Sequence, residues 1–189
     1  MDYPSSVRTT SGVAVVAIFT ALVVGSDFAL APLVNFKLLD TIVFAVSFVF
    51  GFRKGAAVAV LSETIWSFVS PWGPAGVLTP FLVGGELLFV VAGWAASRVW
   101  RVEGKAAPTA SLFIGATMAI CAFLWDFETN AASALIWNWP GLNLANLVAV
   151  EVAGFLFPVP LAHELTDLFL GAFLVPTVIL LVPRVMRGA

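Results

Sequence analysis

Apolar residues come in long runs, not in the strict alternation of strands, and each run ends at a polar or a glycine- and proline-bearing stretch. Residues 11–31 form the first run, about the 20 residues that a helix needs to cross a bilayer. The second, 38–50, is short and ends at Gly51-Phe52-Arg53-Lys54-Gly55, which reads as a turn. A third run, 56–69, precedes the uncharged, breaker-rich Ser70-Pro71-Trp72-Gly73-Pro74-Ala75-Gly76. Residues 80–97 lead to a basic loop over 98–105. The fifth run starts at Pro108 and continues helically through Ala134, before an interfacial turn at Trp137-Asn138-Trp139-Pro140-Gly141. Residues 144–157 are apolar but too few to span, so they read as a buried or re-entrant element. The last run is 161–182.

This pattern predicts an all-α integral membrane protein of one domain, residues 1–189. It is a six-transmembrane-helix bundle with helices at about 11–31, 38–50, 56–69, 80–97, 108–134 and 161–182, and a long loop or re-entrant element between the fifth and sixth. Composition agrees: 61% of residues are hydrophobic and 11% charged, where globular chains carry about 25% charged residues. With the N-terminus in the cytoplasm, Arg8, Arg53, Lys54, Arg98, Arg101, Lys105, Arg184 and Arg187 fall inside and only Lys37 outside. A seventh span over 144–157 would carry Arg184 and Arg187 outward, against the same rule. The expected location is therefore the cell membrane, multi-pass, with both termini cytoplasmic. A cleaved signal peptide is the alternative for the first run, since Ala29-Leu30-Ala31 imitates a cleavage site, but Pro32 obstructs cleavage there.

Charge and motifs remove several classes. A net charge of −2 offers nothing to nucleic acid. The lone Cys121 and the single His163 exclude a disulfide framework, a cysteine metal site and a histidine-rich cage, so no metal or other cofactor is expected. There is no G-x-S-x-G elbow, no H-E-x-x-H and no G-x-x-x-x-G-K-[ST] loop, so the chain reads as no enzyme, and any ATP must be hydrolysed by another subunit.

The acids carry the functional signal. If the fifth helix starts at the inner surface, Asp126 lies roughly 27 Å along it, still within or at the edge of the hydrocarbon, where ionisable groups are costly and mark sites. On the same topology Asp27, Asp40, Glu63, Glu86, Asp126, Glu128, Glu164 and Asp167 all gather in the outer leaflet, while Glu151 has no assignable depth. Asp126 and Asn130, His163 and Asp167, and Glu164 and Asp167 stand at i,i+4 or i,i+3, so each pair shares a helix face.

Together they predict an outward-opening, negatively biased cup with Trp66, Trp72, Trp125, Trp137 and Trp139 at its rim or wall. It suits a small ligand with a cationic or amine centre and a flat ring. The candidate ligand contacts are Glu63, Trp66, Glu86, Trp125, Asp126, Asn130, His163, Glu164 and Asp167. Structural roles stay open beside these: a membrane belt for Trp72, Trp137 and Trp139, a local pair with Lys37 for Asp40, and an interfacial place for Asp27. Helix-to-helix hydrogen bonds are open for Glu63 and Glu86, and a structural contact for His163. Ala14, Ala17, Ala21 and Gly25 form a small-residue stripe on the first helix, fit for close approach of a partner helix or for internal packing.

Several stretches carry a resemblance. Val16-Ala17-Ile18-Phe19-Thr20-Ala21-Leu22, Asn35-Phe36-Lys37-Leu38-Leu39-Asp40, Trp125-Asp126-Phe127-Glu128-Thr129-Asn130 and Pro158-Val159-Pro160-Leu161-Ala162-His163-Glu164 look like parts of the substrate-binding S components of energy-coupling factor (ECF) micronutrient transporters. The likeness in layout runs over residues 11–182. It implies a six-helix solute-binding subunit whose pocket is capped by the first and fifth loops, here 34–37 and 137–157. It further implies docking through Ala17 and Ala21 onto a transmembrane T component driven by two cytosolic ATPases, and toppling in the bilayer to release cargo. The chain departs in having more pocket acids than a neutral vitamin needs, which favours a thiamine-like or pyrimidine compound over a riboflavin-like or biotin-like one. A self-sufficient proton- or ion-coupled carrier is the rival reading, because titratable membrane acids suit it equally.

Overall fold

The structure is a computed structural model that describes the backbone of residues 5–33, 35–99, 108–156 and 161–188, and the side chains of 12–33, 35–99, 108–156 and 161–181. The basic loop from Trp100 to Lys105, the cap residue Val34, the end of the second cap at Phe157 and the Pro158-Val159-Pro160 motif lie outside these residues, as do the side chains of Arg8, Arg184 and Arg187. Among the described residues all regular structure is helical: α1 (Ser5–Leu30), α2 (Leu39–Phe50), α3 (Phe52–Val69), α4 (Thr79–Val99), α5 (Pro108–Asn138), α6 (Leu144–Leu156) and α7 (Ala162–Gly188), with one 3-10 turn at Gly76–Leu78.

Four of these are long and apolar enough to cross a membrane: Gly12–Leu30, Gly76–Val99, Pro108–Asn138 and Ala162–Leu181. The other two expected spans fall short for different reasons. α2 has 12 residues, a rise of about 18 Å at ~1.5 Å each, against a hydrocarbon layer of about 30 Å. α3 has 18 residues but holds Arg53, Lys54 and Glu63. Large apolar side chains such as Ile18, Leu22, Leu112, Ile120, Phe169 and Phe173 stand exposed along the long helices, as on helices solvated by hydrocarbon.

Three boundaries differ from the sequence reading. The expected turn at 51–55 is a single residue: Gly51, at φ 88°, ends α2 and starts α3, so Arg53 and Lys54 sit in the first turn of α3. Only glycine takes that conformation without strain, and one such residue suffices to reverse the chain. α5 runs on to Asn138, four residues past Ala134, and the residue before Pro140 ends it, since proline disfavours a helical predecessor. Along the way Thr129, Ser133 and Asn138 donate to carbonyls one turn back, which keeps the polar end of the helix satisfied. The stretch read as buried or re-entrant is the helix α6; it has no buried residue and lies along α5, with Phe155 stacked 5.0 Å from Phe123.

α2 is the centre of the bundle, touching α1, α3, α4 and α7. Phe44, Val43 and Val46 from α2 meet Val58, Phe89, Val90, Ile114, Met118 and Val175 in the core. Lipid is as apolar as these side chains, so association rests on close packing more than on water exclusion. The tightest pairing, α5 with α7, depends on Gly115: a Cβ there would strike the Leu168 carbonyl and Ala172.

Candidate functional site

Near the start of α2 and α7, polar groups from six helices and one loop converge. Asp27 comes from the last turns of α1, Lys37 from the following loop, Asp40 from the first turn of α2 and Glu63 with Trp66 from α3. Glu86 comes from α4, Trp125 and Asp126 from α5, and His163, Glu164 and Asp167 from α7. Asn35, in the left-handed region at φ 59°, turns the chain just ahead of Lys37.

His163 is the hub. Its Nε2 lies 3.1 Å from Asp40 Oδ2 and 3.9 Å from Asp167 Oδ2, and its Nδ1 lies 3.2 Å from Asp126 Oδ1. One ring thus ties α7 to α2 and α5. Trp125 stands edge-on to it at 5.3 Å and donates its indole N–H to the Leu82 carbonyl at 3.3 Å. Gly85 makes room for that indole, because a side chain there would overlap it. The Lys37 ammonium also stands over the Trp125 ring, 4.8 Å from its centroid.

The carboxylates are deeply buried and poorly satisfied. Asp40, Glu63, Glu86 and Asp167 are each 1% exposed or less. Both oxygens of Asp167, and one each of Asp40, Glu63 and Glu164, lack a hydrogen-bond partner. Ser67 donates to the remaining Glu63 oxygen at 3.4 Å. Glu86 faces Asp40, and two carboxyls can bond only through a shared proton. Leaving such groups unpaired is costly, and charged ones more so. Burial opposes the charge on Lys37, but Glu63, Asp40, Glu86 and Asp27 outweigh it and raise its pKa above the ordinary lysine value.

Beside this cluster lies a cavity of about 330 Å³, lined by Asp27, Leu30, Ala31, Leu33, Asn35, Phe36, Lys37, Trp66, Ser70 and Trp72. Its wall is aromatic on one side and carries Asp27 and Lys37 as charged groups. Such a space accepts a small ring with a polar substituent.

Most of the candidate residues meet here, but not all. Glu63, Glu86, Trp125, Asp126, His163, Glu164 and Asp167 belong to the cluster, and Trp66 lines the cavity while packing edge-on against Phe28 at 5.3 Å. Asn130 turns instead to α6, against Gly154 and Glu151. α7 begins level with Asp126, so one turn further along α5 the neighbour is α6. Trp137 and Trp139 are 71% and 73% exposed and stand apart from the cavity lining. Ala14, Ala17, Ala21 and Gly25 all face outward from α1.

Two residues given local roles from sequence are central in space. Asp40 reaches His163 and not a private partner in Lys37, and Asp27 is 2% exposed. Lys37 was no candidate; its signal was being the one base to break the positive-inside pattern. No family model, curated protein or solved structure matches the chain.

Proposed function

We propose that this chain is the substrate-binding S component of an ECF-type uptake transporter and captures a small cationic or amine-bearing vitamin or related micronutrient from outside. The observation that carries the reading is the set of buried carboxylates, from separate helices, whose oxygens have no partner within the protein. Evolutionarily neutral packing does not leave so many acids unsatisfied in one place; a cationic guest would satisfy them. The adjoining cavity, walled by Trp66 and Trp72, would take the ring of such a guest.

In this reading six helices, α1 to α5 and α7, lie in the cell membrane with both termini cytoplasmic, and α6 lies along α5. The short α2 is tolerated because its neighbours surround it. The outward-facing stripe of Ala14, Ala17, Ala21 and Gly25 would receive a T component, and two cytosolic ATPases would supply the energy.

Reconstitution tests this. In liposomes the chain alone should bind but not transport a thiamine-like probe, and co-reconstitution with T and ATPase subunits should give ATP-dependent uptake. Uptake by the chain alone, driven by a proton or ion gradient, would instead establish the rival carrier, which the same buried acids also suit.

A further inference from the structure

We infer that Asp40, His163 and Asp167 form a binding site for one divalent first-row transition-metal ion. This goes beyond the transporter reading, because it concerns a property of the isolated chain that needs no partner subunit.

The donor atoms are already grouped. His163 Nε2, a carboxylate oxygen of Asp40 and one of Asp167 all lie within 4.8 Å of one another, and all three residues are buried. Two of the separations are 3.1 and 3.9 Å. An ion bound at about 2.0–2.2 Å to nitrogen and oxygen holds its ligands roughly 3.3 Å apart, so shifts of under about 1 Å complete the site.

The histidine is set for the task by its other nitrogen. Asp126 lies 3.2 Å from Nδ1, and a carboxylate on that side fixes the proton there and turns the Nε2 lone pair toward Asp40 and Asp167. Without a proton or a metal ion, that lone pair would face two carboxylates. As a second sign, Asp167 is 0% exposed with neither oxygen hydrogen-bonded, although Oδ2 is turned to the ring. Glu86, also fully buried, faces Asp40 from α4. A nitrogen donor among carboxylates selects transition metals over Mg²⁺ and Ca²⁺, which take oxygen alone.

The chain holds one histidine, so in tag-free protein any imidazole bound to a metal is His163. The test is titration of the purified full-length chain in detergent with Co²⁺ and, separately, Zn²⁺, with X-ray absorption on the Co²⁺ form. Expected are one ion per chain, a shell of one imidazole nitrogen with carboxylate oxygens, and affinity about 100-fold weaker in Asp167→Asn and ~10-fold weaker in Asp126→Asn. Absence of saturable binding, a shell without imidazole, or preference for Ca²⁺ would overturn the proposal. The spectrum of the unmutated protein decides the matter if a variant does not fold. Metal binding without reconstituted transport would leave this site standing and reject the S-component reading; the reverse result would reject the site alone.

Discussion

The two ends of the bundle solve different problems with the same helices. At one end α2, α4, α5 and α7 close on Phe44, Phe89, Val90, Ile114, Met118 and Val175, and glycines let backbones touch. At the other, the same helices present Asp40, Glu86, Asp126, His163 and Asp167 to one another. The apolar end leaves one buried hydroxyl, that of Ser47, without a partner, whereas the acid end leaves several carboxylate oxygens so. Packing alone accounts for the first, and the proposed guest is what would complete the second.

Substitutions at the two ends should therefore separate stability from binding. His163→Ala removes the ring between Asp40 and Asp126 and should cost about 3 kcal/mol, read as a lower melting temperature in detergent. Gly115→Leu overpacks the α5–α7 crossing and should cost about 2 kcal/mol, with Co²⁺ affinity unchanged in the folded fraction. Loss of Co²⁺ binding there would blur the division between the ends. Glu86→Gln should do the opposite, weakening Co²⁺ about 10-fold through its neighbour Asp40 while leaving the melting temperature unchanged, since the amide has nearly the same shape and can still donate to Asp40.

Lys37→Met should cost about 1 kcal/mol through the lost contact with Trp125. Because the folded-state pKa of Lys37 is raised, the contribution of its ammonium is fully present below the unfolded value of 10.5 and is lost as pH rises through the higher folded value. Melting curves of wild type and variant should thus converge as pH rises above 10.5. The smallest effect belongs to Trp137→Phe, exposed and away from the cavity, which should stay within about 0.5 kcal/mol and leave binding alone.

What could be read from the sequence follows from what each signal costs. Long helices such as α4 and α5 announce themselves by unbroken apolar length, because hydrocarbon admits little else. The one-residue reversal at Gly51 leaves no polar stretch, so the start of α3 was placed too late. For the site, the expense of putting Glu63, Glu86 and Asp126 in an apolar run pointed to function whatever their partners. Partners were another matter. Asp40 and His163 stand 123 residues apart, and nothing in local spacing ties them, whereas Lys37 was three residues from Asp40 and drew the pairing by proximity. Asn130 shows the limit of helical periodicity: sharing a face with Asp126 does not ensure sharing a neighbour when α7 gives way to α6 along that face.

Lys37 belongs to a loop, not to a helix, and that placement links access to electrostatics. The positive charge that tempers Asp27, Asp40, Glu63 and Glu86 thus stands on a connecting segment beside the cavity, outside the helices that carry the acids. A change in that loop would therefore alter the field felt by all four acids without shifting a helix.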